Sequence, residues 1–180
     1  MRVAVYCSAK DAIPEEYLSL GDQLGAWLGE NGHTLVYGGA TGGLMTRVSN
    51  AAKAAGATVI GVIPPRITAA GRQADHCDEL IEVANMSERK QRMRDEADII
   101  VCLPGSYGTL DEMMDATSSA IVGEHHKPTY VVNYKGFYEP LKQQIELMRK
   151  LHFIPELESY KPQFVDTIED LISLINTPKL

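Results

Sequence analysis

The chain has no apolar run approaching the roughly 20 residues that a helix needs to cross a bilayer. Its first residues, Met1-Arg2-Val3-Ala4-Val5-Tyr6, lack the long apolar stretch of a secretory signal. Cysteine is scarce. Cys7, Cys77 and Cys102 are odd in number and form no C-x-x-C pair. This argues against a disulfide framework or a zinc site of ordinary spacing and suits reduced thiols. Positive charge is also short, with 17 Lys and Arg against 24 Asp and Glu and a formal net charge of −7. A nucleic-acid-binding face needs a basic excess. A small phosphate ligand remains admissible, because helix N-termini and a few arginines act locally. These absences predict a cytoplasmic protein with no membrane or nucleic-acid partner, no metal and no cofactor.

Short β-rich runs alternating with helical stretches dominate the 180 residues. That length predicts one domain, residues 1–180. Strands are expected at Val3–Cys7, Thr34–Tyr37, Thr58–Ile63, Asp98–Leu103 and Thr129–Val132, with a weaker one at Glu79–Val83. Helices are expected from Pro14 to about Gly32, from the glycine turn to about Ala55, from Ser87 to about Glu96, and after Thr109 to about Val122. Two more are expected, from about Phe137 to Leu151 and from Thr167 to Ile175, and residues 66–78 read as a loop. Alternation of this kind gives an α/β fold, a Rossmann-like doubly wound and mostly parallel sheet with helices on both faces. Such sheets bind ligands beyond the carboxyl ends of their strands, near a switch point.

Two glycine-rich turns sit at such ends. Gly38-Gly39-Ala40-Thr41-Gly42-Gly43 opens a helix, so its amides can face an anion. It is neither a dinucleotide fingerprint, which needs glycine at Ala40, nor a Walker A loop, which needs Lys-Ser/Thr at Leu44-Met45. A tight turn with no ligand is the competing reading. The second turn is Pro104-Gly105-Ser106-Tyr107-Gly108-Thr109. Its amides and the Ser106 and Thr109 hydroxyls can make a phosphate cradle. Alternatively, Thr109-Leu110-Asp111-Glu112 is a T-x-x-E capping box, with Glu112 only satisfying an end amide. A nucleophile elbow is excluded, because G-x-S-x-G would need glycine at Pro104.

These residues carry a family likeness. The pattern P-G-G-x-G-T-x-x-E reads here as Pro104 to Glu112, and Met-x-x-Arg-Lys reads as Met86-Ser87-Glu88-Arg89-Lys90. The upstream Tyr-Gly-Gly-Gly-x-x-Gly-Leu-Met-Gly reads as Tyr37 to Thr46. Over about residues 1–155 the chain resembles the LOG ("Lonely Guy") phosphoribohydrolases, often labelled lysine decarboxylases. It departs from their pattern at Ser106, Ala40 and Thr46, each in place of glycine, at Ser87, and in a shorter segment after Cys7. The resemblance implies hydrolysis of the N-glycosidic bond of a nucleoside 5′-monophosphate, of the AMP or cytokinin riboside type, to free base and ribose 5-phosphate. It implies Arg89 and Glu112 as the catalytic pair, Arg89 orienting the carboxylate or the substrate and keeping the carboxylate ionised. Gly105, Ser106, Tyr107, Gly108 and Thr109 would bind the phosphate, with Gly39, Gly42, Met86 and Lys90 completing the substrate site. It further implies homodimers or higher homo-oligomers.

Other readings compete with this one. A nucleotide or molybdenum-cofactor carrier of the same fold is the alternative, since fold does not fix function. An interaction domain is a third. Lysine decarboxylation would need a pyridoxal phosphate lysine, and no lysine here has a distinctive context for one. Lys90, Arg92 and Arg94 fit a solvated helix with i,i+4 pairs. His125-His126 lack a third metal ligand at suitable spacing. Cys102 suits a buried small hydrophobe, Met113 and Met114 suit the core or a subunit contact, and Asp111 and Asp115 suit the start of their helix.

Overall fold

The structure is a computed structural model and describes residues 1–154 and 160–177. Parallel strands require a crossover, usually a helix, between them. The chain supplies these in the order β1 (Arg2–Tyr6), α1 (Glu15–Glu30), β2 (Thr34–Tyr37), α2 (Gly43–Ala54), β3 (Thr58–Ile63), α3 (Pro65–Ala69) and β4 (Glu79–Glu82). There follow α4 (Met86–Asp95), β5 (Ile99–Cys102), α5 (Tyr107–Ile121), β6 (Thr129–Val132), α6 (Glu139–Lys150), β7 (Gln163–Val165) and α7 (Ile168–Asn176). All strand pairs are parallel, in the order β4-β3-β2-β1-β5-β6-β7. The Rossmann-like α/β architecture expected from the sequence is therefore present.

Two-residue alternation sorts the strand side chains into two cores. Val3, Val5, Leu35, Tyr37 and Val101 pack on one face against Leu24 and Leu28 of α1, Leu44 and Val48 of α2 and Leu171 of α7. Ala4, Tyr6, Val36, Val62 and Cys102 pack on the other against Met93 of α4 and Met113 and Ala116 of α5. Met113 and Cys102 are thus core residues, as their types suggested. The chain runs outward from β1 through β2 and β3 to β4, then returns on the other side of β1 as β5. The switch point lies between β1 and β5.

The differences from the sequence reading have local causes. Pro14 stands just ahead of α1 as its cap, and the helix ends at Glu30 with Gly32 left-handed beyond it (φ 64°). The first turn of residues 66–78 is helical, because Pro65 suits an N-terminal helical position. β7 is three residues long and half-buried, too short for an alternation signal. The expected helix from Phe137 begins at Glu139, after a separate 3-10 turn at Tyr134–Gly136.

Helices α1 and α2 approach closely through Gly21, Gly25 and Gly29, which share a face of α1. A Cβ on Gly25 would stand 2.5 Å from the Val48 carbonyl oxygen and 2.8 Å from Ala51 Cβ. Gly25→Ala should therefore destabilise the protein by about 1–3 kcal/mol in urea unfolding, despite alanine's better helix propensity. A gain in stability would show that the two helices can part at little cost.

Candidate active site

Helix α4 is very polar, yet it buries one flank. Asn85 caps it, its Oδ1 accepting from the Ser87 and Glu88 amides at 3.0 Å each. Arg89 and Met93, one turn apart, point inward. The Arg89 side chain is only 4% exposed, as is that of Glu112 on α5. Arg89 Nη1 donates to Glu112 Oε1 at 3.0 Å, Nε to the Val62 carbonyl at 3.0 Å and Nη2 to the Gly38 carbonyl at 3.0 Å. One guanidinium thus joins the ends of β2 and β3 to α5. Gly38 makes room for it, since a Cβ there would lie 1.6 Å from Nη2. Among the described residues no group engages Glu112 Oε2.

Glu112 is not a helix cap. α5 begins at Tyr107 with Ser106 at its N-cap, so Thr109 and Glu112 lie inside the helix and no T-x-x-E box forms. Burial pushes the Glu112 carboxyl up from 4.5 to about 7, and the Arg89 charge only partly opposes this. The Arg89 charge thus acts in the expected direction, favouring the ionised form, while desolvation is the larger effect. Nearby, the fully buried Tyr6 hydroxyl has no hydrogen-bond partner among the described residues.

The two glycine turns differ sharply. No side chain among the described residues caps α5. Its approach is tight, since a Cβ on Gly105 would meet Thr109 Oγ1 at 2.0 Å. Thr109 is buried, Gly108 and Ser106 are exposed, and Tyr107 stands 90% exposed at the helix mouth. The upstream turn fills its own amides. Gly42 donates to Thr46 Oγ1 at 2.6 Å, Gly43 to Asp11 Oδ1 at 2.7 Å and Thr41 to the Arg72 carbonyl at 2.8 Å. Gly39 (φ 62°) packs on Gly61 and Val62, and its carbonyl accepts from Ala74. At Gly42 the amide is thus taken by a side chain four residues on. Its side-chain partner Thr46 stands where the family pattern has glycine.

Lys90 reaches across to α5, 2.9 Å from Asp111 and 3.3 Å from Asp115, and Arg94 also pairs with Asp115. These carboxylates staple α4 to α5 rather than serving the start of their helix. Arg92 makes the expected i,i+4 pair with Glu96. Met86, the first residue of α4, is exposed. His125 bonds the Ala116 carbonyl, and no three metal-ligating side chains converge among the described residues. Sequence reasoning missed the Gly38 and Val62 carbonyls that hold Arg89. It also missed Asp11, and Tyr138, whose hydroxyl donates to the Leu103 carbonyl at 2.9 Å behind the motif loop. A carbonyl partner leaves no mark on residue type, whereas a polar residue in the β1 exit loop is a weak signal that Asp11 did carry.

A parallel α/β sheet with a buried arginine–carboxylate pair and an uncapped helix mouth at its switch point defines a ligand-binding Rossmann-like protein. The family described as "Possible lysine decarboxylase" matches residues 45–175. The cytokinin riboside 5′-monophosphate phosphoribohydrolase LOG of Oryza sativa is 38% identical over 155 residues, which cover 86% of this chain and 64% of that protein, less than two thirds of its length. The cytokinin riboside 5′-monophosphate phosphoribohydrolase of Mycobacterium tuberculosis is 36% identical over 94% of this chain and 90% of its own length. A similarly named protein of Rhodococcoides fascians is 34% identical over 98% and 89%. In fold, the molybdenum cofactor binding protein of Rippkaea orientalis is similar, with a TM-score of 0.73 at 22% identity over 97% of this chain and 94% of that one. The chain belongs to the LOG family of phosphoribohydrolases.

The buried carboxyl has a measurable consequence. Its folded pKa, about 7, lies above the ordinary 4.5, so the folded protein holds this proton more tightly than the unfolded chain. The stability it contributes is complete below about pH 4.5 and is lost as pH rises through about 7. Glu112→Gln has no such proton. Between pH 5 and pH 8 the wild type should lose stability relative to this variant in urea unfolding. Parallel profiles would place the carboxyl in an ordinary environment.

Proposed function

We propose that the chain hydrolyses the N-glycosidic bond of a nucleoside 5′-monophosphate, of the AMP or cytokinin riboside type, to free base and ribose 5-phosphate. The observation that carries this reading is the desolvated Glu112, held at Oε1 by Arg89 and unengaged at Oε2, one and a half turns inside an uncapped helix. The phosphate rests on the α5 mouth, where the amides and hydroxyls of Gly105, Ser106, Tyr107, Gly108 and Thr109 and the helix dipole favour an anion. The sugar then lies over Glu112. As the C1′–N bond breaks, its electron pair leaves with the base and positive charge develops across C1′ and the ring oxygen. Glu112 stabilises that charge electrostatically, as carboxylates do in glycoside hydrolysis. Water adds to C1′ and loses a proton, and the departing base gains one.

Arg89 fixes the carboxylate and counters part of its desolvation. Lys90 sets the spacing of α4 against α5, Met86 forms the rim, and Gly39 and Gly42 shape the neighbouring wall. The relatives' names support the reaction. A carrier of the same fold would have no use for a buried carboxylate facing the ligand. We further propose that residues 1–180 form one domain, that the protein acts in the cytoplasm as a homodimer or larger homo-oligomer, and that cytokinin activation is a role open to it. No helix among the described residues is long and apolar enough to cross a membrane.

Glu112→Gln should lower kcat for base release from AMP by at least about 100-fold, with nucleotide binding retained in calorimetry. The charged carboxylate is the active form, so wild-type kcat/KM should climb with pH through about 7 and level off above it. Full activity in the variant, or a wild-type profile that falls over this range, would remove Glu112 from the chemistry.

A further inference from the structure

Beside the motif loop, on the β2 side, opens a cavity of about 470 Å3, a size within the range of small-molecule sites. Among the described residues, Lys10, Asp11, Thr41, Thr46 and Arg72 supply its polar side chains, and Ala9 supplies the only apolar one. We propose that this cavity receives the base of the nucleotide, and that its charged lining selects an unsubstituted or hydrophilic purine over one bearing an apolar N6 chain. The proposal rests on the hydrolase reading for the placing of phosphate and sugar.

Position comes first. The Ser8 amide donates to the Pro104 carbonyl at 3.2 Å, and the Met45 amide donates to the Ser8 carbonyl at 3.3 Å. The exit of β1 is therefore bonded on one side to the motif loop and on the other to α2, whose mouth walls the cavity. Neighbouring strands lie about 4.8 Å apart, so the span from one mouth to the other suits a nucleoside. The catalytic pair runs the same way. Arg89 bridges from Glu112 to the Gly38 carbonyl, three residues before Thr41 in the cavity wall.

The lining is polar and held in place by its own bonds. Arg72 Nη2 donates to the Thr41 carbonyl at 2.9 Å and to the Ala9 carbonyl at 3.3 Å. Asp11 is fixed on the Gly43 amide and Thr46 on the Gly42 amide. The Lys10 ammonium has no partner among the described residues. A purine meets these groups well, since its ring nitrogens accept hydrogen bonds and a guanidinium stacks on its face. An apolar chain would strip water from the ammonium and the carboxylate and return no hydrogen bond. Thr46 adds a hydroxyl and bulk to the lining where the family pattern has glycine.

The test compares AMP with N6-isopentenyl-AMP, following base release by chromatography and binding by calorimetry, in wild type, Lys10→Leu and Thr46→Val. Wild type should favour AMP at least about tenfold in kcat/KM and in affinity, and Lys10→Leu should narrow the ratio severalfold, with Lys10→Arg retaining the wild-type ratio. A wild-type preference for the isopentenyl nucleotide would overturn the proposal, as would ratios unmoved in both apolar variants. Absence of base release alongside the expected binding preference would reject the hydrolase reading and leave the base assignment standing.

Discussion

Burying the Arg89 guanidinium costs several kcal/mol of hydration, and the protein meets that cost at three sites at once. The Gly38 carbonyl, the Val62 carbonyl and the Glu112 carboxylate each take one nitrogen. These acceptors come from β2, β3 and α5, so the guanidinium is satisfied only when sheet and helices are assembled in register. Gly38 follows from the same constraint, because a methyl group there would occupy the volume of Nη2. The Asn85 cap and the Lys90 and Arg94 pairs with α5 then fix the helix from which Arg89 extends.

The two helix mouths at the switch point divide the work of the site. At α2 the chain supplies its own acceptors, an Asp11 carboxylate and a Thr46 hydroxyl, and the turn becomes a rigid wall. At α5 no side chain among the described residues does so. Orphan amides and a positive helix end favour an anion wherever nothing else occupies them. The free mouth is also the one whose helix carries Glu112. In the proposed site, anion anchoring and the buried carboxylate therefore belong to one rigid element, which would set the distance between a bound phosphate and the charge opposite the sugar.

Strands with both faces buried, such as Val3–Tyr6 and Ile99–Cys102, announce themselves as continuous apolar runs, so the α/β order was readable from residues alone. β7 was not, because three half-buried residues carry no period. Within the site, the meeting of Arg89 with Glu112 was legible through motif likeness only. Read locally, T-x-x-E favoured a capping box, and what excluded it was the start of α5 at Tyr107, two residues before Thr109. The glycine turn at 38–43 misled in the opposite sense. Its composition suggests free amides, yet the Gly42 amide is taken by Thr46 four residues on, and those of Gly43 and Thr41 by Asp11 and Arg72, about 30 residues away in either direction and invisible to a local reading.

The raised carboxyl of Glu112 gives this arrangement its functional logic. A surface carboxylate would be screened by water and would stabilise a passing positive charge weakly. One placed in the core interacts strongly with whatever charge appears beside it, but the free protein must then tolerate a group whose proton affinity lies near neutrality. Arg89 limits that penalty without cancelling it, since it engages one oxygen and no described residue engages the other. A second cation on Oε2 would stabilise the fold and quench the field that a developing ribosyl cation needs. In the proposed reaction the site is poised by an incomplete ion pair, in which electrostatic satisfaction is withheld from the resting protein and supplied by the transition state.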